Sequence, residues 1–302
     1  MNKQKRFIDV YNEFIVFAEK RHKKQGFDKL IDNFKLHILP YFENYEISKL
    51  NEADIVSWQT NILDKKFSNS FNNSLYYNFS EFIKFCIIYK YLDYNVVIKA
   101  GKFPKRVESK EHSVYNIFEF IWFKVHLKNY VIKQFFNFMF NYGTRPSEAM
   151  ALRFCDYRKS KLKIIHSIQR RGKRELDTPK NSSSIRTLRL SPLCRFRFWR
   201  LKNHYIKKYG NFNENYFIFG GRKPLSTTTI DRYKKQACQK ANMHEITQHE
   251  FRHSYATRKI HSHIPIDVVS RNLGHSKVST TVDIYLHQEK RVSDTLFSRF
   301  NF

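Results

Sequence analysis

Residues 161–190 read KLKIIHSIQRRGKRELDTPKNSSSIRTLRL. This stretch decides the fold class, because a period of two replaces the helical period found on either side of it. Ser184 to Leu190 alternates in that period, and Gln169 to Glu175, QRRGKRE, has the charge and the glycine of a hairpin tip. A small three-stranded antiparallel sheet is expected here, inserted among helices.

Upstream and downstream the pattern is helical. In residues 6–21, Phe7, Ile8, Tyr11, Phe14, Ile15 and Phe17 recur mostly at helical spacing. Asn51 is a candidate N-cap for the next segment, whose Ile55, Trp58 and Ile62 form one stripe. A further amphipathic segment covers 72–92. Residues 99–113, KAGKFPKRVESKEHS, combine Gly, Pro and dense charge, as a linker does. Helices resume in 114–128 and 131–143, where Gly143 suits a helix C-cap and Pro146 the first turn of the following helix. The expected organisation is a helical domain over 1–100, a linker over 101–113 and a mixed α/β domain over 114–302. The fold class is mainly α with one small antiparallel sheet.

Composition narrows the partners. The chain of 302 residues carries 55 Lys+Arg against 27 Asp+Glu, a formal charge of +28. A surplus of that size creates a field suited to a polyanion, nucleic acid foremost. No apolar run reaches the ~18 residues of a membrane span, and Asp9, Asn12 and Glu13 interrupt any signal-peptide core. Cys86, Cys155, Cys194 and Cys238 lie far apart, which signals neither a disulfide framework nor a thiolate metal site. A reduced, cytoplasmic chain is expected.

One pentapeptide is ambiguous. His249-Glu250-Phe251-Arg252-His253 matches H-E-x-x-H, the zinc-protease helix. The elongated form of that motif needs Gly and His where this chain has Ala256 and Lys259, and the only Glu beyond 250 is Glu289. Arg252 would also face the cation. No metal is expected. His249 and Arg252, three apart on one helix face, instead present two donors to an anion.

Other polar residues fit the same chemistry. Arg145 begins a helix with Glu148 one turn on, Lys180 lies in the loop entering the last strand, and His275 follows Gly274 at a turn or helix entry, ten residues before Tyr285. Together they supply a nucleophile, donors for non-bridging oxygens, an acid and a base, the parts of metal-free phosphoryl transfer.

This ordered set resembles the tyrosine recombinase, or phage integrase, family. Gly143 to Leu152 matches G-x-R-x-S-E-x-x-x-L, 249–257 matches H-x-x-R-H-[ST]-x-A-T, and 273–285 matches L-G-H-S-x-x-x-T-T-x-x-x-Y. TPKNSSSIRTLRL, 178–190, is similar to the strand segment that holds the family's catalytic lysine. The resemblance spans roughly 114–302, and 1–100 looks like a core-binding domain.

The resemblance implies that Tyr285 attacks the scissile phosphate of a specific double-stranded DNA site, that Arg145 and Arg252 clamp it, and that Lys180 protonates the departing 5′-oxygen. His249 would assist Tyr285, His275 would donate to the phosphate, and Glu148 would orient a neighbouring group. It also implies no cofactor and a dimer to tetramer on DNA. Arg170, Arg171, Lys173 and Arg174 at the hairpin tip are expected to contact DNA. In the tail, Val292, Leu296, Phe297 and Phe300 form an apolar face suited to a neighbouring protomer. A type IB topoisomerase shares most of this site but typically has Lys in place of His249. A non-catalytic DNA-binding protein would explain the charge but not the ordered set.

Overall fold

The structure, a computed structural model, describes residues 5–104, 114–168, 176–177, 184–279 and 281–282. The chain forms two compact units, Met1–Lys110 and Glu111–Phe302.

The first unit is all helical where described: α1 (Phe7–Glu19), α2 (Lys24–His37), α3 (Leu39–Phe42), α4 (Glu52–Asp64), α5 (Asn69–Ile88) and α6 (Val96–Ala100). Asn51 caps α4, accepting from the backbone of Ala53 and Asp54 while Asp54 accepts from Asn51 N–H, so two orphan donors are satisfied reciprocally. The core is largely aromatic. Phe7 of α1 meets Phe42, Phe79 and Phe82 at centroid distances of 5.6, 5.8 and 4.7 Å. Trp58 packs edge-on to Phe79 at 5.2 Å, and its indole N–H donates to His37 O. This unit extends beyond α6: Phe103 is buried in the same cluster, and Gly101 O accepts from Gln59. No described helix is long and apolar enough to cross a membrane.

The second unit opens with α7 (Ile117–His126), α8 (Tyr130–Tyr142) and α9 (Pro146–Ala151). All six residues from Phe135 to Phe140 are buried, so α8 is enclosed on every side and forms the axis of the unit. The strands follow: β1 (Tyr157–Arg158), β2 (Lys161–Ile164), β3 (Ser167–Ile168), β4 (Leu176–Asp177) and β5 (Arg186–Arg189). β1, β2 and β5 make a three-stranded antiparallel sheet, and β3 pairs with β4 in a separate two-stranded ribbon. Leu162 and Leu188 face each other on the buried side of the sheet. Among the described residues four more helices follow: α10 (Pro192–Tyr209), α11 (Thr227–Ala241), α12 (Gln248–His261) and α13 (Ile266–Leu273).

Candidate active site

The site begins where α8 stops. Gly143 ends that helix in the left-handed region, φ +63°, with its N–H on Met139 O. A Cβ there would sit 2.4 Å from Tyr255 Cδ1 and 2.8 Å from Leu273 Cδ2, so both backbone angle and space require glycine. Two residues on, Pro146 opens α9 with its fixed φ. Arg145 is thereby the residue that enters α9. Its N–H donates to Glu148 Oε2 at 2.9 Å and its Nη1 to Glu148 Oε1 at 2.7 Å. Glu148 therefore caps the helix and aims the guanidinium at once.

A second arginine meets the same carboxylate. Arg186, on β5, shares the inward face with Leu188 and donates through Nη2 to Glu148 Oε2 at 2.8 Å. Its Nε donates to Asn272 O at 2.7 Å and its Nη1 to Ser184 O at 3.1 Å. Arg186 thus ties strand β5, helix α9 and the last turn of α13 together. Burial alone would raise the Glu148 pKa, yet Arg186, Arg252 and Arg145 hold it below the usual carboxylate range. Glu148 is an anion here.

Arg252 lies on α12, whose entry is a capping box: Thr247 Oγ1 accepts from Glu250 N–H and the Glu250 carboxylate accepts from Thr247 N–H. The glutamate of the zinc-like motif is thus engaged at a helix end. Among the described residues no three His, Cys, Asp or Glu side chains gather to hold a metal. Phe251, fully buried against Phe136 (4.7 Å) and Phe123 (5.4 Å), anchors the helix and fixes its rotation. Arg252 is 4% exposed and donates from Nη1 to Gly143 O at 2.9 Å. Among the described residues no acceptor reaches its Nη2, although that atom is buried. Burial, then the charge of Arg145, push its pKa down to about 9, with Glu148 opposing.

His275 follows α13, whose C-cap Gly274 is left-handed, φ +69°. The residue marks a helix exit, because the chain must reverse before the next turn. Gly274 O accepts from Arg145 Nη2 at 3.1 Å. The His275 ring contacts Thr281 Oγ1 through Nδ1 at 2.8 Å, and Thr281 is fully buried. Burial first, then Arg252 and Arg145, push its pKa down to about 3. The imidazole is neutral at ordinary pH. His249 stands exposed on the first turn of α12, three residues before Arg252.

The structure thus brings Arg145, Glu148, Arg252 and His275 around one point. Lys180, Tyr285, the hairpin-tip residues Arg170, Arg171, Lys173 and Arg174, and the apolar tail lie outside the described residues. Sequence reading missed Arg186 and Thr281. The signal for Arg186 was available, since it has the same strand parity as Leu188 and Leu190, where an apolar side chain is the norm.

Around Glu148 the described residues place three guanidinium groups, those of Arg145, Arg186 and Arg252, against one carboxylate. Three positive charges less one negative leave two, in a largely buried setting with an unfilled donor. Such a pocket calls for an anion.

Comparison with known families settles the kinship. The model of the phage integrase family matches residues 116–291. The chain belongs to this family. Residues 6–63 match a second model, the N-terminal SAM-like domain of phage integrases. The chain is 24% identical over 274 residues to the ICEBs1 integrase of Bacillus subtilis (strain 168), covering 86% of this chain and 74% of that protein. It is 41% identical over 91 residues to a tyrosine recombinase of Thermosipho africanus (strain TCF52B), covering 28% of this chain and 32% of the relative. The fold is that of the Tn1549 transposon integrase, solved with transposon right end DNA: TM-score 0.75 at 16% identity, over 99% of this chain and 100% of that one. A lambda integrase tetramer bound to a Holliday junction superposes with TM-score 0.75 at 14% identity, over 94% and 78% of the two chains.

Proposed function

We propose that the protein is a site-specific DNA recombinase that cuts and rejoins strands through a 3′-phosphotyrosyl intermediate. It acts as a dimer to tetramer on double-stranded DNA in the cytoplasm. The observation that carries this reading is the buried Arg252 with its unfilled Nη2, next to Arg145 in a cluster with two surplus positive charges. A phosphodiester brings one negative charge, and an attacking tyrosinate adds a second in the transition state. The surplus matches that state better than the ground state, which is the condition for acceleration.

In this reading Tyr285 Oη bonds to phosphorus and the bond to the 5′-oxygen breaks. The phenolic proton leaves with help from His249, and Lys180 supplies a proton to the 5′-oxygen. Arg145 and Arg252 hold the non-bridging oxygens. His275 acts as a neutral donor: here Thr281 Oγ1, 2.8 Å from Nδ1, is assigned as the donor to that nitrogen, which leaves the ring's one N–H on Nε2 for the phosphate. Glu148 and Arg186 position Arg145 and take no part in proton transfer. The covalent bond conserves the phosphodiester energy, so rejoining needs no cofactor.

The test is a nicked suicide duplex carrying a cognate site selected from random sequence. Wild-type protein should accumulate a covalent adduct, and Tyr285→Phe should bind the duplex without forming one. DNA binding with no adduct on any selected site would leave a binding protein only. Relaxation of arbitrary supercoiled plasmid by monomers would assign a topoisomerase instead.

A further inference from the structure

The three-stranded sheet has two faces, and only one belongs to the site above. Leu162, Ile164, Leu188 and Arg186 point inward, and Arg186 reaches Glu148. On the opposite face the register sets Arg158 opposite Lys161 and Lys161 opposite Arg189. Three cations therefore form one row across all three strands. Lys163 and Thr187 make the next row, and Lys159 stands in the turn joining β1 to β2. Like charges directly opposite one another destabilise a sheet, and here that happens twice in one row. Among the described residues none of these five cations has a carboxylate partner. Asp156, the one acid of the concavity they line, is buried and accepts from Arg153 N–H at 3.0 Å. These side chains line a concavity of about 690 Å³ that also includes Ser160 and Cys155.

We infer that the outer face of this sheet is a second binding surface for duplex DNA, separate from the arginine cluster. The sheet itself lies between the two, so one phosphate cannot meet both. With strands ~4.8 Å apart, the Arg158–Lys161–Arg189 row spans ~10 Å, long enough to meet more than one phosphate of a single strand. The lining offers hydroxyls, a thiol, five cations and one carboxylate, the buried Asp156, but no large apolar side chain. That composition suits a sugar–phosphate backbone, whereas the centre of a protein interface is apolar. The row is matched to the charge of the backbone, which is the same in every sequence, so the face takes DNA without regard to sequence. Its use is to hold a second segment while the first occupies the arginine cluster.

The surface goes beyond the strand-transfer reading and is measured on intact DNA, so a failure of either leaves the other standing. Full-length protein is loaded on an immobilised random-sequence duplex, and capture of a second, fluorescent duplex is followed against salt. The variant Lys161→Glu/Lys163→Glu/Arg189→Glu should bind the first duplex within about twofold of wild type and capture the second at least tenfold more weakly. The log–log salt slope of capture should fall by about one for each residue removed. The corresponding Gln variant should show a smaller loss in the same direction, and it serves as the test should charge reversal prevent folding. Unchanged capture overturns the inference. So does an equal loss of both duplexes, which would place the face on the first DNA. Displacement by polyglutamate at concentrations where excess duplex fails would assign the face to an acidic protein.

Discussion

Glu148→Gln is the sharpest probe of how the cluster is held. Glu148 is 2% exposed and accepts from Arg145 N, Arg145 Nη1 and Arg186 Nη2 at 2.9, 2.7 and 2.8 Å. Glutamine keeps the shape but removes the charge and turns an NH₂ toward those donors. Three guanidiniums then share the pocket with no carboxylate. Breaking a buried ion pair from one side costs about 3–5 kcal/mol. At ~2–4 °C per kcal/mol for a unit of this size, the melting point should fall by about 6–20 °C at pH 7. The sign with pH follows from the carboxyl's depressed pKa in the folded state. Its contribution is present above the unfolded carboxylate value of about 4.3 and is lost as pH falls through the lower folded value. The gap between wild type and variant should therefore narrow below about pH 4. Arg186→Met in the Glu148→Gln background should restore part of the loss, since it removes a charge left without its partner. Chemical denaturation across pH 3 to 8 measures all three. A variant within about 1 kcal/mol of wild type at pH 7 would refute the reasoning, because even exposed pairs reach that value. So would a gap that does not change with pH.

Arg252→Met should abolish adduct formation by at least about 100-fold, the scale for losing one transition-state donor. It should also leave stability unchanged or higher, because burial and Arg145 oppose the charge that Arg252 carries. A variant destabilised by several kcal/mol would show that Arg252 is a structural residue. Gly143→Ala should lose ~2 kcal/mol or more, from the positive φ and the contact with Tyr255, and should slow adduct formation by moving the carbonyl that anchors Arg252. A melting point equal to wild type would count against that account. The His275 ring should stay neutral from pH 8 to pH 5, read by its nitrogen shifts in NMR, since its pKa lies at about 3. A midpoint near pH 6.5 would be the contrary result.

Local pattern explains what was legible. The Asn51 cap, the Gly143 C-cap and Pro146 at a helix start are decided within a turn of chain, and the structure has all three. The alternation in Ser184–Leu190 gave β5, although the hydrogen-bonded strand is the shorter Arg186–Arg189. The hairpin read at 169–175 is flanked by the antiparallel pair β3 and β4, but their separation from the three-stranded sheet was not legible, because two-residue strands carry no period. The site was legible where motif spacing is local, as in His249 and Arg252 on one helix. Arg186 escaped because its partner is 38 residues away and its meaning comes from pairing, not from its neighbours.

Apart from Glu148 and Ser184, the acceptors that position the arginines were invisible for a further reason: they are backbone atoms. Arg252 is held by Gly143 O, Arg145 by Gly274 O and Arg186 by Asn272 O. Each of these carbonyls lies at the C-terminal end of a helix, α8 or α13, where carbonyls lack intrahelical partners and the helix dipole is negative. A neutral carbonyl can orient a guanidinium without cancelling its charge; a second carboxylate would orient it and cancel it. The left-handed glycines at 143 and 274 bring those two helix ends to the same point. The cluster therefore keeps two surplus charges and still has fixed geometry. Adding a carboxylate beside it, for example through Ser184→Asp, whose hydroxyl now accepts from Arg145 Nη1 at 3.2 Å, should stabilise the fold and depress strand transfer together. Melting and adduct formation measured on that one variant would separate charge from geometry, and a variant that gains stability while keeping full activity would refute the claim that the surplus is what the site uses.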